Sequence, residues 1–237
     1  MTTTRYDLKR ALPALRKLIA NPDDLPQVFT LIDALQGSAL ARFRAGFERT
    51  EGGRALLRDE PELAPLLADR EALRRLPEGS LGRAYLAFVE AEGISAQGII
   101  DASVAGAGES DESDPDRFIY DRLRDTHDLW HAVTGYQGDV LGELALLGFI
   151  LAQNFQPGIF MILTAACLKG FAGDDWWLVA DGYVRGKRAA WLPSVNWEVL
   201  LDQPLDDVRR QLKVGAPRDY VPLRSSQLRA EGLVAAA

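Results

Sequence analysis

Apolar residues recur along this chain at the three- and four-residue spacing of a helix, and nowhere alternate for long enough to predict a strand. "LPQVFTLIDALQG" places Val28, Leu31, Ile32 and Leu35 on one stripe, with Pro26 suited to a first turn and Gly37 to a stop. "SALARFRAGFERT" repeats the pattern with Leu40, Phe43 and Phe47, and "SLGRAYLAFVEAEG" with Leu81, Tyr85, Phe88 and Val89, ending near Gly93. Over 117–134, Ile119, Leu123, His127, Trp130 and Thr134 share a stripe and predict a further helix. The stretch 144–168 is strongly apolar but broken at "QNFQPG". Its two pieces fall short of the roughly 20 residues that span a bilayer, so two buried helices meeting at Pro157 are expected. "PLDDVRRQL" predicts a short amphipathic helix with Leu205, Val208 and Leu212 inward. The pattern is that of an all-α protein, a single-domain helical bundle.

Composition narrows this little. The 237 residues suffice for one sizeable core, and no composition break divides them, so 1–237 is read as one helical domain. Residues 1–20 read as a basic, peripheral helix and 218–237 as a loosely ordered tail. "GAGESDESDPD", residues 106–116, is a solvated connector, without the spacing of a calcium-binding loop. The net charge of −7 argues against a nucleic-acid partner. One cysteine, Cys167, excludes a disulfide framework within the chain and is read as a small core hydrophobe. The N-terminus is not a secretory signal, because charge interrupts its apolar positions. Its five basic residues against one acid leave two readings open, a helix docked on the body or a contact with an anionic membrane surface.

The candidate chemistry lies in "DTHDLWHAVTGYQGDVLGELALLG", which holds the only two histidines, His127 and His131. Four residues apart on a helix, they share a face and suit two ligands of one metal ion. Asp128 projects ~100° from His127. It could bind the metal from the flank or accept an N–H from a ligand histidine. Glu143 would sit ~18 Å from His131 along an unbroken helix. Gly135 and Gly138, however, bracket "GYQG", a turn signal that predicts a metal-binding helical hairpin with His131 and Glu143 level across it. Two imidazoles and two carboxylates form a mixed N/O set that suits zinc, and also iron or manganese, so ligand type does not fix the metal. Zinc metalloproteases place Glu where Asp128 stands, and His-Asp phosphohydrolases need a further upstream histidine that this chain lacks.

The pattern His127-Asp128-x-x-His131, eleven residues, then Glu143 resembles the signature of the coenzyme Q (ubiquinone) biosynthesis protein 4 family. The likeness extends to "RALLRDEPEL", "LPEGSLGRAYLAFVE" and "WLVADGYVRGKRAAWLPSVNWEVLLDQPLDDVRRQLKV", about residues 50–217. The resemblance implies an α-helical fold and a divalent metal at His127, Asp128, His131 and Glu143. It implies a role in ubiquinone biosynthesis on a benzoquinone-type head group bearing a polyprenyl tail, with peripheral membrane association and a homodimer. In a bacterium that means the cytoplasmic face of the inner membrane, among other ubiquinone biosynthesis proteins. It further implies either a metal-dependent decarboxylase removing the C1 carboxylate of a 4-hydroxy-3-methoxy-5-polyprenylbenzoate-like ring, oxidatively, or a non-catalytic lipid-binding scaffold with a structural metal. For the tail, Phe149, Phe155, Phe160 and Phe171 are candidate groove residues, with ordinary core packing as the competing reading of each.

Overall fold

The computed structural model describes residues 6–109 and 116–235. The chain begins with α1 (Leu8–Ala20), α2 (Leu25–Ala34) and α3 (Ala39–Arg49). Three short helices follow: α4 (Glu51–Asp59), α5 (Ala64–Ala68) and α6 (Arg70–Arg75). Then come α7 (Leu81–Glu92), α8 (Ala96–Ala107), α9 (Arg117–Asp125), α10 (His127–Thr134), α11 (Val140–Gln153) and α12 (Pro157–Lys169). The C-terminal third holds α13 (Trp176–Arg188), α14 (Leu205–Gln211) and α15 (Ser225–Ala230). Among the described residues no strand forms, and the fold is all-α.

Local chemistry sets these boundaries. The Ser80 hydroxyl accepts from Arg83 N at the start of α7, and Ser95 does the same for Gly98 at the start of α8. Gln156 caps α12, whose Pro157 needs no N–H partner. The main core gathers Leu81, Tyr85, Leu129, Val133, Leu141, Phe149, Leu178 and Trp197, and so joins α7, α10, α11 and α13. A second cluster seats α1 on α2 and α12 through Ala11, Leu18, Leu31 and Ile162. A third packs Phe43 and Phe47 against Ile119.

α11 and α13 meet backbone to backbone. A Cβ on Gly182 would lie 2.2 Å from the Ala145 carbonyl oxygen, and one on Gly186 would lie 2.5 Å from that of Phe149. Only glycine permits this approach, so the helix carrying Glu143 is held by the C-terminal third.

Several expectations change. The 117–134 helix divides at Thr126, between α9 and α10. Of the connector at 106–116, Gly106 and Ala107 still belong to α8, and 110–115 lie outside the described residues. α12 is only half-buried: Ile159, Ile162 and Ala166 face inward, while Leu168 is 83% exposed. Cys167 falls on that outer side and is exposed, not a core residue. Within 218–235, part of the segment read as a loose tail makes defined contacts. Leu228 of α15 is buried, and Ala235 N–H donates to the Ala20 carbonyl.

Candidate functional site

α10 ends at Gly135, whose φ of +82° is the left-handed conformation that favours glycine and turns the chain. Asp139, fully buried, then opens α11: its carboxylate accepts from Leu141 N and Gly142 N, and from Tyr220 Oη at 2.7 Å. The turn brings Glu143 Oε1 to 3.1 Å from His131 Nε2 and Glu143 Oε2 to 3.9 Å from His127 Nε2. His127, His131 and Glu143 each offer a ligand atom, all within 4.8 Å of one another.

Second partners orient both imidazoles. His131 Nδ1–H donates to the Tyr136 carbonyl at 3.0 Å, which leaves Nε2 with a lone pair aimed at the cluster. His127 Nδ1–H donates to Asp128 Oδ1 at 3.2 Å, which leaves its Nε2 free in the same way. Asp128 thus sits behind His127, outside the three-residue cluster. Phe88 of α7 stacks on the His131 ring, with centroids 4.7 Å apart and planes 14° apart. His131 is 1% exposed, and its Nε2 has no hydrogen-bond partner, because Glu143 lies close but out of line.

The electrostatics are mutual. Burial pushes the Glu143 carboxyl up, but His131 and then His127 outweigh it and hold the group below its usual range. Burial pulls His131 down, and Glu143 with Asp128 more than reverses that. A buried nitrogen without a hydrogen bond, a second imidazole and a carboxylate converging on one point form a donor set that fits a divalent cation.

His127 and Glu143 line a cavity of about 800 Å³, and His131 is buried outside its lining. His127, Asp128, Glu143, Arg70 and Arg224 give it a polar side; Phe88, Leu15, Leu18, Leu144, Ile162 and Phe171 give it an apolar one. A smaller, almost wholly apolar cavity of about 150 Å³ lies beyond, lined by Phe29, Ile32, Phe43, Leu123, Trp130 and Ile159 among others. His127, Leu25, Val28, Ile99 and Leu147 border both. Of the four phenylalanines expected along such a groove, only Phe171 lines it. Phe149 is core, and Phe155 and Phe160 pack on each other at the surface.

Sequence reasoning missed the supporting residues. Arg185, buried in α13, donates to the Thr134 carbonyl at 2.8 Å and to the Val214 carbonyl, and lies 4.9 Å over the Tyr136 ring. Arg209 donates to the Val133 and Ala132 carbonyls. Together they satisfy the open carbonyls at the end of α10. Glu92 accepts from Gly138 N and pairs with Arg224 at 2.6 Å, which ties residues 220–224 to the turn. Nothing in local periodicity marks these long-range partners.

The model of the family "Coenzyme Q (ubiquinone) biosynthesis protein Coq4" matches residues 10–218. Among curated relatives, a mitochondrial ubiquinone biosynthesis protein coq4 of Talaromyces stipitatus is 31% identical over 212 residues, 84% of this chain and 70% of that one. The corresponding Yarrowia lipolytica protein is 30% identical over 176 residues, 70% of this chain and 63% of that one. A crystal structure from Nostoc punctiforme, 23% identical, shares the fold with a TM-score of 0.68 over 90% of this chain and all of that one. The family match covers both the histidine pair and Glu143. The chain belongs to the coenzyme Q (ubiquinone) biosynthesis protein Coq4 family.

Proposed function

We propose that this protein removes the C1 carboxylate of a polyprenylated hydroxybenzoate in ubiquinone biosynthesis, using a divalent metal, zinc in the first instance, held by His127, His131 and Glu143. The observation that carries the reading is His131 Nε2: fully buried, without a hydrogen bond, and aimed at the other two groups in a cavity wall. A metal bound there would act as a Lewis acid toward a ring oxygen, stabilising negative charge as the carboxylate is lost.

The protein's own groups do the rest. His127, His131 and Glu143 would hold the metal, and with only three protein ligands, two of them lining the cavity, it would be available to substrate as in catalytic sites rather than closed structural ones. Asp128 and the Tyr136 carbonyl fix the two rings with their Nε2 atoms forward. The apolar side of the large cavity and the smaller void beside Trp130 exclude water and suit the start of a prenyl tail. α1 supports access from a lipid surface. Leu15, Leu18 and Ile19 line the cavity, while Tyr6, Leu8 and Leu12 are exposed beside the exposed Lys9, Arg16 and Lys17. Among the described residues no helix is long and apolar enough to cross a membrane.

The test is incubation of metal-reconstituted protein with a prenylated hydroxybenzoate, following loss of CO₂ by mass spectrometry. Wild type should turn over and Glu143→Ala should not. Equal, background-level product from both, with lipid binding retained, would favour the scaffold reading instead.

A further inference from the structure

The large cavity is lined by both acids and bases, and nearly every one has an answering charge. Glu143 faces His131 and His127, and Asp128 faces His127. Arg224 pairs with Glu92 at 2.6 Å, and Asp23 with Arg229 at 2.8 Å. Arg70 is the exception. Its guanidinium donates once, through Nη2 to the Ile94 carbonyl at 2.7 Å, and among the described residues no carboxylate lies within ion-pair distance. A guanidinium carries five N–H donors in a planar fork that matches a carboxylate, so most of this one's capacity is unspent.

Arg70 lines the same cavity as His127, Asp128 and Glu143. A benzoate entering here brings a negative charge toward Glu143, Asp128, Glu92 and Asp23. The lining cation not already neutralised is the one able to receive it.

We propose that Arg70 is the specificity-determining residue that receives the ring carboxylate of the substrate, turning the ring so that an oxygen substituent faces His127, His131 and Glu143. This rests on the substrate reading above. It assigns to this chain a recognition element for benzoate-type acids over prenylated phenols that lack the carboxylate.

The experiment uses the metal-loaded full chain. Affinity is measured for a short-chain prenylated 4-hydroxybenzoate and for the matched prenylated phenol. Wild type should prefer the acid. Arg70→Gln should reduce that preference about ten- to a hundred-fold, the range for a charge-assisted bidentate contact, while phenol binding and metal content stay unchanged. Arg70→Lys should restore part of the preference. If Arg70→Gln keeps the wild-type preference, or weakens acid and phenol equally, the assignment is overturned. If the preference survives Arg70→Gln but disappears in Glu143→Gln, the carboxylate sits on the metal and Arg70 does not receive it. If wild type binds neither compound, the substrate reading itself fails and the assignment falls with it.

Discussion

Adding one methyl group at Gly182 should loosen the helix that carries Glu143. In Gly182→Ala the new Cβ would stand 2.2 Å from the Ala145 carbonyl oxygen and 3.1 Å from its carbon. Both are backbone atoms, so no side chain can swing aside, and α11 and α13 must separate by roughly 1 Å to reach ordinary contact. Overpacking of this kind costs about 1–3 kcal/mol, partly offset by the ~1 kcal/mol that alanine gains over glycine in a helix interior. A net loss near the top of that range, about 2 kcal/mol, lowers Tm by roughly 4–8 °C in a chain of this size. The displacement also shifts Glu143 relative to His131, so zinc affinity should fall as well. Gly52→Ala is the internal control: its nearest neighbour would be the Ser194 carbonyl oxygen at 3.6 Å, so alanine should be neutral or stabilising by up to ~1 kcal/mol. Thermal unfolding of the metal-free protein, with zinc competition titrations on the same samples, reads both effects. A Gly182→Ala protein as stable as Gly52→Ala, with wild-type zinc affinity, would refute the close-packed account of α11 and α13.

Two further outcomes follow from the site. Arg185→Met should lower zinc affinity about ten- to a hundred-fold, because the Thr134 carbonyl and the Tyr136 ring lose the guanidinium that holds the backbone behind His131; unchanged affinity in a folded variant would remove Arg185 from that role. Metal affinity should also fall on acidification from a pH above the ordinary imidazole value of 6.5. Burial works to strip His131 of its proton, but Glu143 and Asp128 overcome it, so a metal must displace that proton at any pH below the raised value; a flat affinity from pH 8 to 6 would contradict this.

The histidine pair and its glutamate were legible because their geometry is local. Helical spacing puts His127 and His131 on one face, and Gly135 marks the turn that returns Glu143 to them. The position of Asp128 was half legible: its ~100° offset from His127 allows either role, and the structure sets its oxygen on Nδ1 of that histidine. Arg70, Arg185 and Arg224 were not legible. Each acts on residues 24 to 132 positions away, and a single sequence says nothing of which arginine returns to which carbonyl or carboxylate. α12 misled for a different reason. It is apolar all round, the usual mark of burial, yet one side meets α1, α2 and α11 while Phe160, Cys167 and Leu168 face outward.

The candidate metal ligands and the cavity have very different spans in the chain. His127, His131 and Glu143 come from one continuous run of residues, whereas the cavity wall draws on side chains from Leu15 to Arg224. Contacts close in sequence form early and cheaply, while those between distant segments await near-complete folding. The three candidate ligands can therefore approach one another before the chamber closes, while their final alignment waits on Arg185 and the close approach of α13. Substitutions at the two ends of the chain can reshape that chamber while leaving His127, His131 and Glu143 in place.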